Sequence, residues 1–185
     1  MGEFSRVHQS DLTDRQLEDF WLKAILSGRD REVTLERTRM LPDEYVRLVR
    51  TEGGHTWLVS FRGVVCGMIR LEAVMGRSAQ AHFVALPVGT KRTATKGVSV
   101  LRGMGLFALG AALWETTMTG AYRLNTVIGM TPACNRRALK YIFSIGGQYI
   151  ATVPDLLYAH DENVNVPGVI TIFNRESVPE WCARL

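Results

Sequence analysis

An apolar strand that runs into a basic, glycine-containing turn and then into a long apolar helix limits the folds open to this chain more than any other feature. The strand reads Ala79-Gln80-Ala81-His82-Phe83-Val84-Ala85-Leu86 and is closed by Pro87. The turn from Val88 to Gly97 carries Lys91, Arg92 and Lys96, and the helix is expected from about Val98 to Thr117. The first N–H groups of a helix are unpaired and its dipole is positive there, so this order builds a site for an anion. A purely structural role would place the cations at the helix C-terminus instead.

Length and composition set the class. At 185 residues, 46% hydrophobic and 22% charged, the chain is expected to form one domain over residues 1–185 with an ordinary buried core. The net charge is only +4, and the basic residues cluster at Lys91, Arg92, Lys96 and Arg102 and again at Arg136, Arg137 and Lys140. That distribution suits a small phosphorylated ligand and gives no nucleic-acid footprint. The three cysteines, Cys66, Cys134 and Cys182, are widely spaced, so neither a disulfide framework nor a metal site is expected. No basic segment followed by an apolar run opens the chain, and a cytoplasmic protein without a membrane span is expected.

Taken in order, Phe4 to His8 reads as a first strand. Asp11-Leu12-Thr13-Asp14 offers N-cap chemistry to a helix with apolar positions at Leu17, Phe20, Trp21, Ala24 and Ile25, ended at Gly28. Glu32 to Met40 continues as a second helical piece, and Pro42-Asp43-Glu44 opens another helix that runs to Thr51. After Gly53-Gly54 the period changes to two. His55 to Phe61, Val64 to Val74 and the strand ending at Leu86 then form three antiparallel strands, with turns at Arg62-Gly63 and Gly76-Arg77-Ser78. Beyond the long helix come a strand from Tyr122 to Gly129, a helix from Ala133 to Ile145, a strand from Gln148 to Val153, a loop at Asp161 to Asn165 and a strand from Val169 to Phe173. The expected class is α+β, with a mixed sheet of six or seven strands and helices packed on it.

This order resembles the GNAT superfamily of N-acetyltransferases over nearly the whole chain. The run Ala81-His82-Phe83-x-x-Leu86-Pro87, the helix after Lys96-Gly97 and the pattern Arg123-Leu124 … Asn135-x-x-Ala138 … Gly146 are similar to small phage- and prophage-encoded GNAT-like proteins. The resemblance implies a central sheet with helices on both sides and acetyl-CoA as co-substrate. Its pyrophosphate is implied to lie on a loop of the form Gln/Arg-x-x-Gly-x-Gly/Ala, matched here by Ala94 to Ser99. On that basis Leu86, Val88, Arg92, Lys96, Gly97, Val98, Ser99 and Asn135 are implied cofactor contacts. Ala94 stands where the family has Gln or Arg, and the family's acidic tyrosine position is Ile142. Tyr141 lies one residue earlier, about 100° around the helix.

Acetyl transfer to an amine by direct attack needs a base, a polarised thioester carbonyl and close placement of the two reactants. Backbone N–H groups between Val84 and Val88 are the implied polarising donors. His82 and Glu72 are the candidate catalytic residues. A neutral imidazole in an apolar strand accepts a proton near physiological pH, and the structural alternative is a hydrogen-bonded core histidine. Glu72 interrupts an apolar strand as a base, or as a salt-bridged surface carboxylate. The implied acceptor is a small-molecule or peptide amine, and monomer and homodimer both stay open. A second reading keeps the fold without the chemistry, as a GNAT-like binding or phage assembly protein. Ala94 and Ile142 favour that reading, and the basic turn and Asn135 oppose it.

Overall fold

Alternation of buried and exposed side chains sets the sheet. The computed structural model describes residues 3–30, 40–51, 53–87, 98–159 and 163–185. Among them are seven strands, β1 (Phe4–His8), β2 (His55–Phe61), β3 (Val64–Met75), β4 (Ser78–Ala85), β5 (Thr126–Pro132), β6 (Gln148–Ala159) and β7 (Val164–Phe173). They form one sheet in the order β1-β2-β3-β4-β5-β7-β6. Every neighbouring pair is antiparallel except β4 and β5, which are parallel. Four α-helices are described, α1 (Asp14–Leu26), α2 (Pro42–Thr51), α3 (Val100–Leu113) and α4 (Arg136–Ser144). Most of the expected helical piece from Glu32 to Met40, and the basic turn from Val88 to Gly97, lie outside the described residues.

Each face of the sheet carries its own core. Leu58, Met68, Val84 and Leu86 face α1 and α2, where Trp21 and Tyr45 stack with ring centroids 4.4 Å apart. Odd-numbered β4 residues face the other way. Ala79 and Ala81 join Val127 and Phe173 against α3 and the inner side of α4. The β2–β3 turn has positive φ at both Arg62 (49°) and Gly63 (79°), the backbone that matches a twisted two-residue hairpin.

Several element ends differ from those expected. α3 is shorter at both ends because Ser99 caps it, its hydroxyl accepting from the Arg102 N–H at 3.3 Å. At the far end the chain turns at Trp114, whose indole donates to the Val178 carbonyl at 2.8 Å. β5 starts at Thr126 rather than Tyr122. Tyr122 is held elsewhere, bridging to Thr116 with its ring beneath the Arg175 guanidinium at 4.0 Å. β6 runs past Pro154 to Ala159 because a bulge between Val153 and Leu157 absorbs the proline, with Asp155 at φ 52°.

α3 is buried from Gly103 to Leu113, and its glycines allow the close approach. A Cβ on Gly110 would lie 2.5 Å from the Ala183 nitrogen and 2.8 Å from the Cys182 carbonyl carbon. Helix propensity alone would make Gly110→Ala stabilising by about 1 kcal/mol. Backbone cannot swing aside as a side chain can, so we expect Gly110→Ala to destabilise by about 1–3 kcal/mol instead, measured as a lower urea midpoint.

Candidate active site

The site begins where two strands part. β4 and β5 pair only at Ser78–Thr126, Ala79–Val127 and Gln80–Ile128. Beyond Gln80, β4 stays with β3 and β5 stays with β7, so a gap opens between their C-terminal ends. In open sheets ligands bind beyond the carboxyl ends of parallel strands, at the place where neighbours diverge. The Leu86 N–H donates to the Cys66 carbonyl on β3 at 2.9 Å, so Leu86, expected as a main-chain donor to the ligand, is already engaged. Strand alternation then turns the backbone groups of Ala81, Phe83 and Ala85 toward the gap. Val88 lies outside the described residues.

At the base of the gap, on the α1/α2 face, Glu72 and His82 come together. The His82 Nε2 lies 2.7 Å from the Glu72 Oε1, and the Arg70 Nε lies 2.9 Å from the other oxygen, Oε2. Register explains the meeting, since Arg70 pairs with His82 and Glu72 with Gln80 across β3 and β4. Regular pairing of β3 ends at Glu72 in a bulge, with Ala73 at φ 48°. The Arg70 side chain is only 4% exposed and that of Glu72 30%. The hydrogen bond from His82 is the largest cause that holds the Glu72 carboxyl down at about 2; partial burial opposes it and the bond from Arg70 supports it.

An ionised carboxylate only accepts hydrogen bonds, so the His82 Nε2 carries a proton, and in the neutral ring Nδ1 is then the acceptor. The Gln80 Nε2 lies 3.1 Å from the same His82 Nε2; two N–H donors cannot bond each other, so a His82 Nε2 that donates to Glu72 requires the Gln80 amide turned to present its oxygen. A carboxylate that holds an imidazole in one orientation is also the arrangement of a catalytic triad's orienting pair.

The opposite end of the gap is electropositive. α3 follows β4 and α4 follows the parallel strand β5, so both helices begin at the same end of the sheet. The first turn of α3 packs against the second turn of α4, with the Tyr141 hydroxyl donating to the Leu101 carbonyl at 3.1 Å. Neither first turn holds an acidic residue. The charges there are those of Arg102, Arg136 and Arg137, all exposed. Two positive helix ends with added cations are the partner an anion needs.

The remaining sequence candidates fall out as follows. Ser99 and Asn135 spend their side-chain oxygens as helix caps, Asn135 accepting from the Ala138 N–H at 3.0 Å. Val98 precedes the α3 cap, and Arg92, Lys96 and Gly97 lie outside the described residues. Ile142 is buried, and the Tyr141 hydroxyl is committed to Leu101. Sequence reading missed Arg70 and Gln80 as partners of the candidate pair. Period-two alternation places Arg70, Glu72, Gln80 and His82 on one face, but only the register brings them into contact. A cavity of about 580 Å³ beside Lys23, Arg62, Val65 and Leu86 contains neither candidate base, and its Arg62 is tied to Glu3 at 2.6 Å.

A seven-stranded mixed sheet, helices on both faces and one parallel pair that splays apart define the GNAT-like α+β fold of acetyltransferases. Spermidine N-acetyltransferase SpeG from Vibrio cholerae, solved with CoA and spermine, shares it at TM-score 0.63 and 12% identity, over 95% of this chain and 98% of that one. The N-acetyltransferase PseH of Campylobacter jejuni shares it at TM-score 0.59 and 11% identity, over 94% and 99% of the two chains. YncA of Salmonella typhimurium, solved with its cofactor acetyl-CoA, matches at TM-score 0.59 and 10% identity over 93% and 94%. At these identities the likeness is one of fold. No protein-family model and no curated protein sequence matches the chain. Among the described residues no helix is long and apolar enough to cross a membrane.

The Glu72 carboxyl ionises more readily in the folded chain than its ordinary value of 4.5 allows, so its contribution is full above pH 4.5 and is lost as pH falls toward 2. We expect Glu72→Gln to lower stability by about 1–2 kcal/mol at pH 7, because Arg70 stays buried while water reaches the carboxylate. The difference from the parent protein should shrink as pH falls from 4.5 toward 2, read by urea unfolding across that range.

Proposed function

We propose that the protein is an acetyl-CoA-dependent N-acyltransferase that acetylates an amine by direct attack in a ternary complex. The observation that carries this reading is the Arg70–Glu72–His82 chain at the base of the gap between β4 and β5. The substrate arm would enter between β4 and β5 from the helix ends. The pyrophosphate would sit against the first turn of α3 and the basic turn with Arg92, Lys96 and Gly97, with Arg136 and Arg137 on the other flank. The backbone N–H groups of Phe83 and Ala85 would polarise the thioester carbonyl.

His82 Nδ1 takes the proton as the amine nitrogen forms its bond to the carbonyl carbon. The C–S bond breaks and the thiolate leaves with its electron pair. Thiolates are good leaving groups, so the reaction tolerates a Tyr141 hydroxyl engaged elsewhere. That engagement, with the Leu86 N–H already bonded to Cys66 and the Asn135 side chain spent as a cap, favours the second reading, a binding protein that kept the fold.

Calorimetric titration with acetyl-CoA tests the proposal. Binding in the micromolar range is expected, with affinity falling at least tenfold in Lys96→Glu and in Arg137→Glu, since each substitution reverses a charge beside the phosphates. Acetyl transfer to amines in His82→Ala should drop about 10²- to 10⁴-fold with acetyl-CoA affinity unchanged, the range for removal of a general base. No binding by the folded parent protein would leave the binding-protein reading in its place.

A further inference from the structure

The face of the sheet that carries His82 continues across the gap as an apolar strip. Register sets it out in rows. One row runs Glu72, Gln80, Ile128, Ile172, and the next runs Arg70, His82, then across the gap Met130 and Ile170. A third row continues with Pro132 and Gly168, and the Leu156 side chain lies over that glycine. Ile128, Met130, Ile170 and Ile172 are half-buried and belong to neither helix-covered core. α1 and α2 pack on Leu58, Met68, Val84 and Leu86 instead. The only carboxylate in these rows is that of Glu72, and Arg70 and His82 already share it.

Resting on the acetyltransferase reading, we infer that the acceptor is a primary amine with a single cationic centre and an apolar alkyl or aryl body, which lies on the Ile128–Met130–Ile170–Ile172 strip with its nitrogen at His82. A strip of this kind supplies transfer energy to methylene groups and no counter-charge to further ammonium groups. A polycation such as spermidine would lose water at its distal nitrogens with no carboxylate in these rows to receive them. Continuity of the strip with His82 makes a substrate its occupant, in preference to a second copy of the chain.

The test is kcat/KM for the linear primary amines from butylamine to octylamine, with spermidine alongside and acetyl-CoA saturating. Each added methylene is expected to raise kcat/KM about three- to fourfold until the strip is covered. Spermidine should fall at least tenfold below octylamine. Ile170→Asp, and the milder Ile170→Thr, should flatten the series while calorimetric affinity for acetyl-CoA is retained. A flat or falling series, a preference for spermidine, or no turnover of any of these amines would overturn the inference. So would a dimer that Ile170→Asp dissociates without changing the series. Acetyl-CoA affinity separates the two levels, because intact binding with no chain-length preference removes the acceptor class alone, whereas absent binding removes the acetyltransferase reading with it.

Discussion

The site depends on a competition for backbone hydrogen bonds that β4 and β5 lose to their outer neighbours. β4 is held to β3 from Gly67–Ala85 through Glu72–Gln80, and β5 is held to β7 from Val127–Phe173 through Pro132–Gly168. Between them only three residues of parallel pairing remain. Parallel pairs are slightly weaker per residue than antiparallel ones, and sheet twist carries the two halves further apart along the strands. What is left is an edge of β4 whose N–H and C=O groups face space rather than a strand. Backbone groups in that state call for a partner, and an extended amide-bearing arm is a natural one.

Charge is arranged along the same gap. At one end lie the N-termini of α3 and α4, with three exposed arginines and no acidic residue in either first turn. At the base a nearly buried Arg70 sits beside a half-exposed carboxylate that it shares with His82. An isolated cation at the Arg70 position would be costly, so Glu72 stabilises the sheet and orients the imidazole at once. The strand β4 joins the end with the helix N-termini to the Glu72–His82 pair and keeps the two at a fixed separation.

Much of this was legible in the sequence, for physical reasons that also mark where reading stopped. Period-two alternation revealed the three antiparallel strands from His55 to Ala85, and the apolar run after the basic turn revealed α3. Element ends were less legible because they depend on tertiary partners. Tyr122 looks like a strand residue until Arg175 claims its ring, and Pro154 looks like a strand stop until a bulge removes it from the ladder. Glu72 and His82 were both visible as interruptions of apolar strands. Their contact was not, because nothing local fixes a register across β3 and β4. Ser99 and Asn135 stood out as family matches, and each turns out to serve its own helix as a cap.

Hydrogen–deuterium exchange of the backbone amides, with and without acetyl-CoA, tests the central claim most directly. In the free protein the Leu86 amide should be protected by Cys66, while Phe83 and Ala85 exchange faster because β5 offers no partner beyond Gln80. Added acetyl-CoA should slow Phe83, Ala85 and the first-turn amides of α3 and α4. Unchanged exchange along β4, with protection confined to some other part of the molecule, would contradict the account.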